Sequence, residues 1–104
     1  MQLVWKPAAA RGLGPAVVAQ KEEGEAVRFC LMPQKQDIYL LQDVRFARQL
    51  LPQERDALWQ DFCALMQQRG ARLLLTCRAA QSWFAQHPEH SGLLASKVKV
   101  KPGF

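Results

Sequence analysis

Cysteine is scarce in this chain and arranged without pairs. Cys30, Cys63 and Cys77 lie far apart, and no CxxC occurs. An odd, dispersed set argues against a disulfide framework and for a reducing, cytoplasmic setting. Histidine is scarcer still, with His87 and His90 alone. Two such side chains are too few for a structural metal site, and Pro88 separates them. No apolar run approaches the length of a membrane-spanning helix. The opening stretch "MQLVWKPAAARGLGPAVVA" is broken by Arg11, Gly12, Gly14 and Pro15, so it does not read as a secretory signal. Neither GxGxxG nor GxxxxGK is present, and the lone Gly12-x-Gly14 pair carries no phosphate-binding inference. Internal repeats and low-complexity tracts are absent as well. These absences leave no sequence motif for a metal, nucleotide or other cofactor, and none is expected.

What the chain does contain is ordinary for one globular domain. It has 104 residues, 49% of them hydrophobic and 22% charged. A chain of this size buries roughly 60–70% of its unfolded surface, enough for a core without staples. A single domain over 1–104 is the expectation. The net charge is +5, which suits an acidic or nucleic-acid partner. Part of it stands in the closing "SKVKVKPGF", where Lys97, Lys99 and Lys101 alternate with Val98 and Val100. That alternation reads as an edge strand with one solvated face, or as a frayed tail. No aromatic–basic RNA motif supports RNA recognition, so direct nucleic-acid binding is disfavoured.

Hydrophobic patterning divides the chain further. "QLVWKP" reads as a first strand closed by Pro7. "AAARGLGPA" is a Gly/Pro-punctuated loop. Ala16 to about Met32 reads as a helix, interrupted near Gly24 and ended by Pro33. "DIYLLQD" is a strand with a continuous apolar run, as in buried parallel sheets. "VRFARQLL" follows as a short helix or turn. The clearest element is "PQERDALWQDFCALMQQRG". Pro52 suits the first helical position, Leu58, Phe62, Leu65 and Met66 share a face, and Gly70 suits the C′ position. "RLLLTC" is a third strand, and "RAAQSWFAQH" a helix stopped before Pro88. Alternating strands and helices predict βαβ units and a mostly parallel sheet.

In such a sheet, sites lie beyond the carboxyl ends of strands, and Cys77 falls at such an end. A helix beginning at Arg78 and Ala79 would aim free N–H groups and a positive dipole at the sulfur. Arg78 would add a second positive charge. Both favour the thiolate, the form that attacks or accepts sulfur. Cys77 as a buried structural thiol fits the spacing equally well. The segment holding His87 and His90 reads as a surface loop, and a Cys–His pair for acyl transfer lacks any evident orienting group. Cys30 and Cys63 read as small buried hydrophobes.

In order and spacing the second part of the chain resembles the DsrE/TusD sulfur-relay family, also called the DsrE/DsrF/DsrH superfamily. The segments are "DIYLLQDVRFARQL", "ALWQDFCALMQQRGARLLL", "LTCRAAQSWF" and "GLLASKVKVKPGF", spanning about Ile38 to Phe104. The family glycine after the acidic strand-end residue is missing, since Asp43 runs into Val44 and Arg45. The resemblance implies a single three-layer α/β domain with a small, mostly parallel sheet and a C-terminus shortened relative to the family. It further implies a persulfide carrier on Cys77, supported by Arg78 and Ala79, with no cofactor. The implied role is sulfurtransfer in tRNA thiolation or sulfur oxidation. The implied partners are related subunits or further copies of the chain, and proteins that donate and accept sulfur, without a membrane. Two alternatives stand beside it: a non-catalytic assembly subunit of the same fold, and a basic RNA-associated domain centred on Arg72, Arg78 and the C-terminal lysines.

Overall fold

The computed structural model of the protein describes residues 2–8, 14–22 and 24–95. Five strands form one sheet in the spatial order of the chain. They are β1 (Val4–Lys6), β2 (Ala16–Lys21), β3 (Gly24–Lys35), β4 (Ile38–Phe46) and β5 (Arg72–Leu75). Helix α1 (Pro52–Gln68) joins β4 to β5, and α2 (Arg78–Gln86) follows β5. A 3₁₀ segment, Pro88–Leu93, comes after α2. β1 to β4 pair antiparallel, and only β4 with β5 pairs parallel. The sheet is therefore mixed and mostly antiparallel, which corrects the mostly parallel sheet expected from the sequence.

The reason lies between Ala16 and Met32. That segment is not a helix but most of the hairpin β2–β3. Its apolar residues at Val27, Phe29 and Leu31 recur with period two and are all buried, the strand period rather than the helical one. The charged middle is the turn, and Gly24 takes φ 135° there, a backbone value that glycine alone adopts readily. Without a helix between the first strands the connections are short, and short connections make antiparallel neighbours. "VRF", expected as a helix or turn, instead completes β4.

The expectations for the second part fare better. α1 starts at Pro52, and the Glu54 carboxylate accepts the Leu51 N–H at 2.8 Å, satisfying one of the helix's unpaired donors. Leu58, Trp59, Phe62, Cys63 and Met66 are its buried stripe. Arg69 caps it, and Gly70 follows in the left-handed region at φ 71°, as a C′ glycine does.

The core lies on one face of the sheet. Phe29 of β3 stacks on Phe62 of α1, with centroids 4.1 Å apart and planes within 8°. Trp59 of α1 stacks on Trp83 of α2 at 4.9 Å. Leu58, Phe62, Ala80 and Phe84 of the helices join Val17, Phe29 and Leu41 of the sheet in one buried cluster. Both helices thus serve a single core on a single face, two layers rather than the three expected. The other face carries Arg28, Cys30, Asp43 and Arg45, whose backbones are partners across β3 and β4. Lys97, Lys99 and Lys101 lie outside the described residues. Among those described, no helix is long and apolar enough to cross a membrane.

Candidate functional site

Cys77 stands where the sequence places it. β5 ends at Leu75, and Thr76 ties the strand end to β4: its N–H and its hydroxyl both donate to the Leu41 carbonyl, at 3.2 and 3.1 Å. Cys77 then takes extended backbone angles, φ −108° and ψ 146°, as the N-cap of α2. Its carbonyl accepts the first intrahelical bond, from Gln81 N–H at 3.1 Å. The amides of Arg78, Ala79 and Ala80 precede that bond in the helix and have no intrahelical acceptor. The Cys77 side chain makes no capping hydrogen bond, so the sulfur lies beside the first-turn amides without being bonded to one. Arg78 is exposed and, among the described residues, forms no ion pair. The thiol is half-buried and rests against the core cluster. It is thus neither sealed among leucines nor fully in solvent.

The other thiols are set differently. Cys63 is buried in α1, and burial pushes its thiol up to about 12. Cys30 is half-exposed on the open face of the sheet rather than within a helix. Burial raises its thiol, and the neighbouring Asp43 carboxylate raises it further against the opposing pull of Arg45 and Arg28. Neither environment favours the nucleophilic anion.

The two histidines are not a solvated loop. His87 caps the far end of α2 and stacks on Trp83 with centroids 3.9 Å apart. Its Nδ1 donates to the Trp83 carbonyl at 2.8 Å, since the carbonyl can only accept. Its Nε2 lies 3.3 Å from Asp56 Oδ1, the oxygen that also accepts Trp83 Nε1–H at 3.0 Å. His90 Nε2 donates to Gln60 Oε1 at 2.7 Å. Together these contacts clasp α2 and the 3₁₀ segment to α1. They also separate the histidines from the thiol. Cys77 and His87 sit at opposite ends of a helix of nine residues, on the order of 13 Å long. A Cys–His catalytic pair is therefore not assembled. Among the described residues, no group of three His, Cys, Asp or Glu side chains is placed to hold a metal.

This clasp is not among the contacts expected from the sequence. Its signal was present: Trp83 and His87 are four residues apart on one helix face. Equally unexpected from the sequence is the cluster of Trp5, Tyr39 and Arg69 at the sheet end where α1 meets β5. Arg69 Cζ lies 3.8 Å from the Trp5 ring centroid, and Trp5 meets Tyr39 edge-on at 5.5 Å. No local spacing announces contacts among three segments this far apart in the chain.

Compared with known proteins, the chain matches no family model, no curated protein and no solved structure.

Proposed function

We propose that the chain is a sulfur carrier that holds sulfane sulfur as a persulfide on Cys77 and passes it to a partner thiol. The observation that carries this reading is the placement of Cys77 as a half-buried, uncapped N-cap thiol at the outlet of the parallel β4–β5 pair. The segment order from Ile38 to Phe104 supports a relation to the DsrE/TusD proteins, and it is the part of the chain that contains the β4–α1–β5 crossover leading to this thiol. The mostly antiparallel sheet gives that relation no further support.

The chemistry needs little else. The Cys77 thiolate attacks the outer sulfur of a donor persulfide; the new S–S bond forms as the donor S–S bond breaks, and the donor leaves as its thiolate. An acceptor thiolate then attacks the outer sulfur on Cys77 and releases the Cys77 thiolate. Electrons balance at each displacement without an added oxidant or a histidine base. The first-turn amides of Ala79 and Ala80 have no intrahelical acceptor and lie at the positive end of the helix dipole, where negative charge is favoured. Arg78, on the same turn, supplies positive charge to the surface where a donor or acceptor docks.

Incubation with a persulfide donor, followed by intact mass measurement and peptide mapping, tests this. Wild type gains the mass of one sulfur atom on the peptide containing Cys77, and Cys77→Ser does not. Sulfur on Cys30 instead, or an accessible Cys77 that stays unmodified, rejects the assignment.

A further inference from the structure

We infer that the end of the sheet where α1 turns into β5 binds single-stranded nucleic acid, a function independent of the thiol. Two clefts meet there. One, of about 260 Å³, is lined by Asp37, Tyr39, Arg69 and Ala71. The other, of about 290 Å³, shares Ala71 and adds Gln67, Arg72 and His90. The Arg69 guanidinium covers one face of Trp5, and Arg69 is an exposed residue that lines the Tyr39 cleft, within reach of a planar partner there. Tyr39 is half-buried at the rim. A planar cation backed by an indole, beside a phenol ring, is a stacking platform for an unpaired base.

The backbone gathers cations around this platform. Lys35 pairs with Ile38 in the β3–β4 hairpin, and Ile38 pairs with Arg72. Arg72 N–H donates to the Asp37 carbonyl at 2.8 Å. Lys35, Arg69 and Arg72 are all exposed, and none forms an ion pair among the described residues. They are free to meet phosphates, within a chain of net charge +5. Asp37 and Glu89 are the carboxylates lining the two clefts. Asp37 decides between partners. Inside the Tyr39 cleft it repels any anion, carboxylate or phosphate, but accepts a hydrogen bond from an exocyclic amine such as cytosine N4, so a base enters the cleft while the phosphates stay outside it on the cations. The side chains of an acidic peptide, aspartate and glutamate, bring carboxylate acceptors and no such amine donor to Asp37. Duplex bases are already stacked, so the strand must be single.

The test uses the full chain and a short fluorescein-labelled oligocytidylate, with anisotropy read across a salt series. Three phosphate contacts predict a slope of log K on log salt of about −2. Tyr39→Leu keeps an apolar body against the core, and it lowers affinity about tenfold while leaving the slope in place. Arg69→Gln, on the surface, lowers affinity by a similar factor and, with one of the three phosphate contacts gone, flattens the slope to about −1.4, even if Tyr39→Leu fails to fold. The pair Lys35→Gln and Arg72→Gln flattens the slope to about −1 or less. Absence of binding at low salt overturns the inference. So does equal competition by polyglutamate together with no effect of Arg69→Gln.

Discussion

Gly14 illustrates control by a single residue. A Cβ built there would lie 1.8 Å from the Leu31 carbonyl oxygen, against backbone that cannot step aside. The close approach is tied by the next residue, because the Pro15 carbonyl accepts Leu31 N–H at 3.0 Å. Gly14→Ala must push β2 away from β3, and we expect a loss of at least ~2 kcal/mol, in the range of strained core substitutions. Chemical unfolding of the variant measures it, and an unchanged midpoint would refute the close packing. At this scale the sequence was readable wherever one residue type answers a local demand. Pro52 and Gly70 sit at the helix positions their backbone preferences predict. Cys77 falls on the strand-to-helix junction because the apolar run of β5 ends just before it and the helical pattern of α2 begins just after it. Gly14 was legible only as loop punctuation, because the atom it avoids is seventeen positions away in the chain.

Among elements, the β2–β3 hairpin separates pattern from composition. Counting apolar residues from Ala16 to Met32 suggests a helix; their period of two makes strands. The two ends of the hairpin are held differently. Near the turn, Glu25 and Arg28 form a two-point ion pair, with Nε 2.8 Å from Oε1. Hydrogen bonding to Arg28 holds the Glu25 carboxyl below its ordinary value of 4.5. A lowered carboxyl stabilises the fold above its unfolded value and ceases to do so as pH falls through the folded one. Glu25→Gln therefore costs stability at neutral pH, by less than ~1 kcal/mol because the pair is solvent-exposed. The difference from wild type closes below about pH 4. Thermal unfolding of both proteins across that range checks the sign; a gap that widens in acid would contradict it. At the far end, Pro33 lies in β3 beyond Cys30, where pairing with β2 has stopped. Its missing N–H is tolerated on that unpaired side. The sequence presented Pro33 as a helix stop, and the same residue proved to mark where a strand becomes an edge.

For the molecule as a whole, one aromatic network joins sheet and helices. Phe29 stacks on Phe62, Phe62 meets Trp59 edge-on, and Trp59 stacks on Trp83, a continuous chain of contacts from β3 through α1 to α2. Cys63 lies within that core and is fully enclosed. With its thiol pushed up to about 12 by burial, it cannot supply thiolate at mild pH while folded. Alkylation at pH 8 should modify Cys77 and Cys30 in the native protein and reach Cys63 only through global opening, with a rate that follows unfolding in denaturant. Equal reactivity of the three thiols would show that the core opens locally. The candidate sites also differ at this scale. The thiol outlet belongs to one end of the β4–α1–β5 crossover, and the Trp5–Tyr39–Arg69 surface to the other. The Trp83–His87–Asp56 clasp holds the helices together and carries no proposed chemistry.

Helix α1, strand β5, helix α2 and the position of Cys77 between the last two are legible in the amino-acid order, because each depends on periodicity, capping and turn residues within about one element's length. So are the basic balance and the absence of membrane-length apolar helices. That the sheet is mostly antiparallel, that both helices share one face, and that His87 is packed rather than solvated follow from the three-dimensional packing alone. Only there do Trp5, Tyr39 and Arg69 meet. These outcomes depend on contacts between segments far apart in the chain, where pairing and burial override local preference and no short-range pattern records the partner.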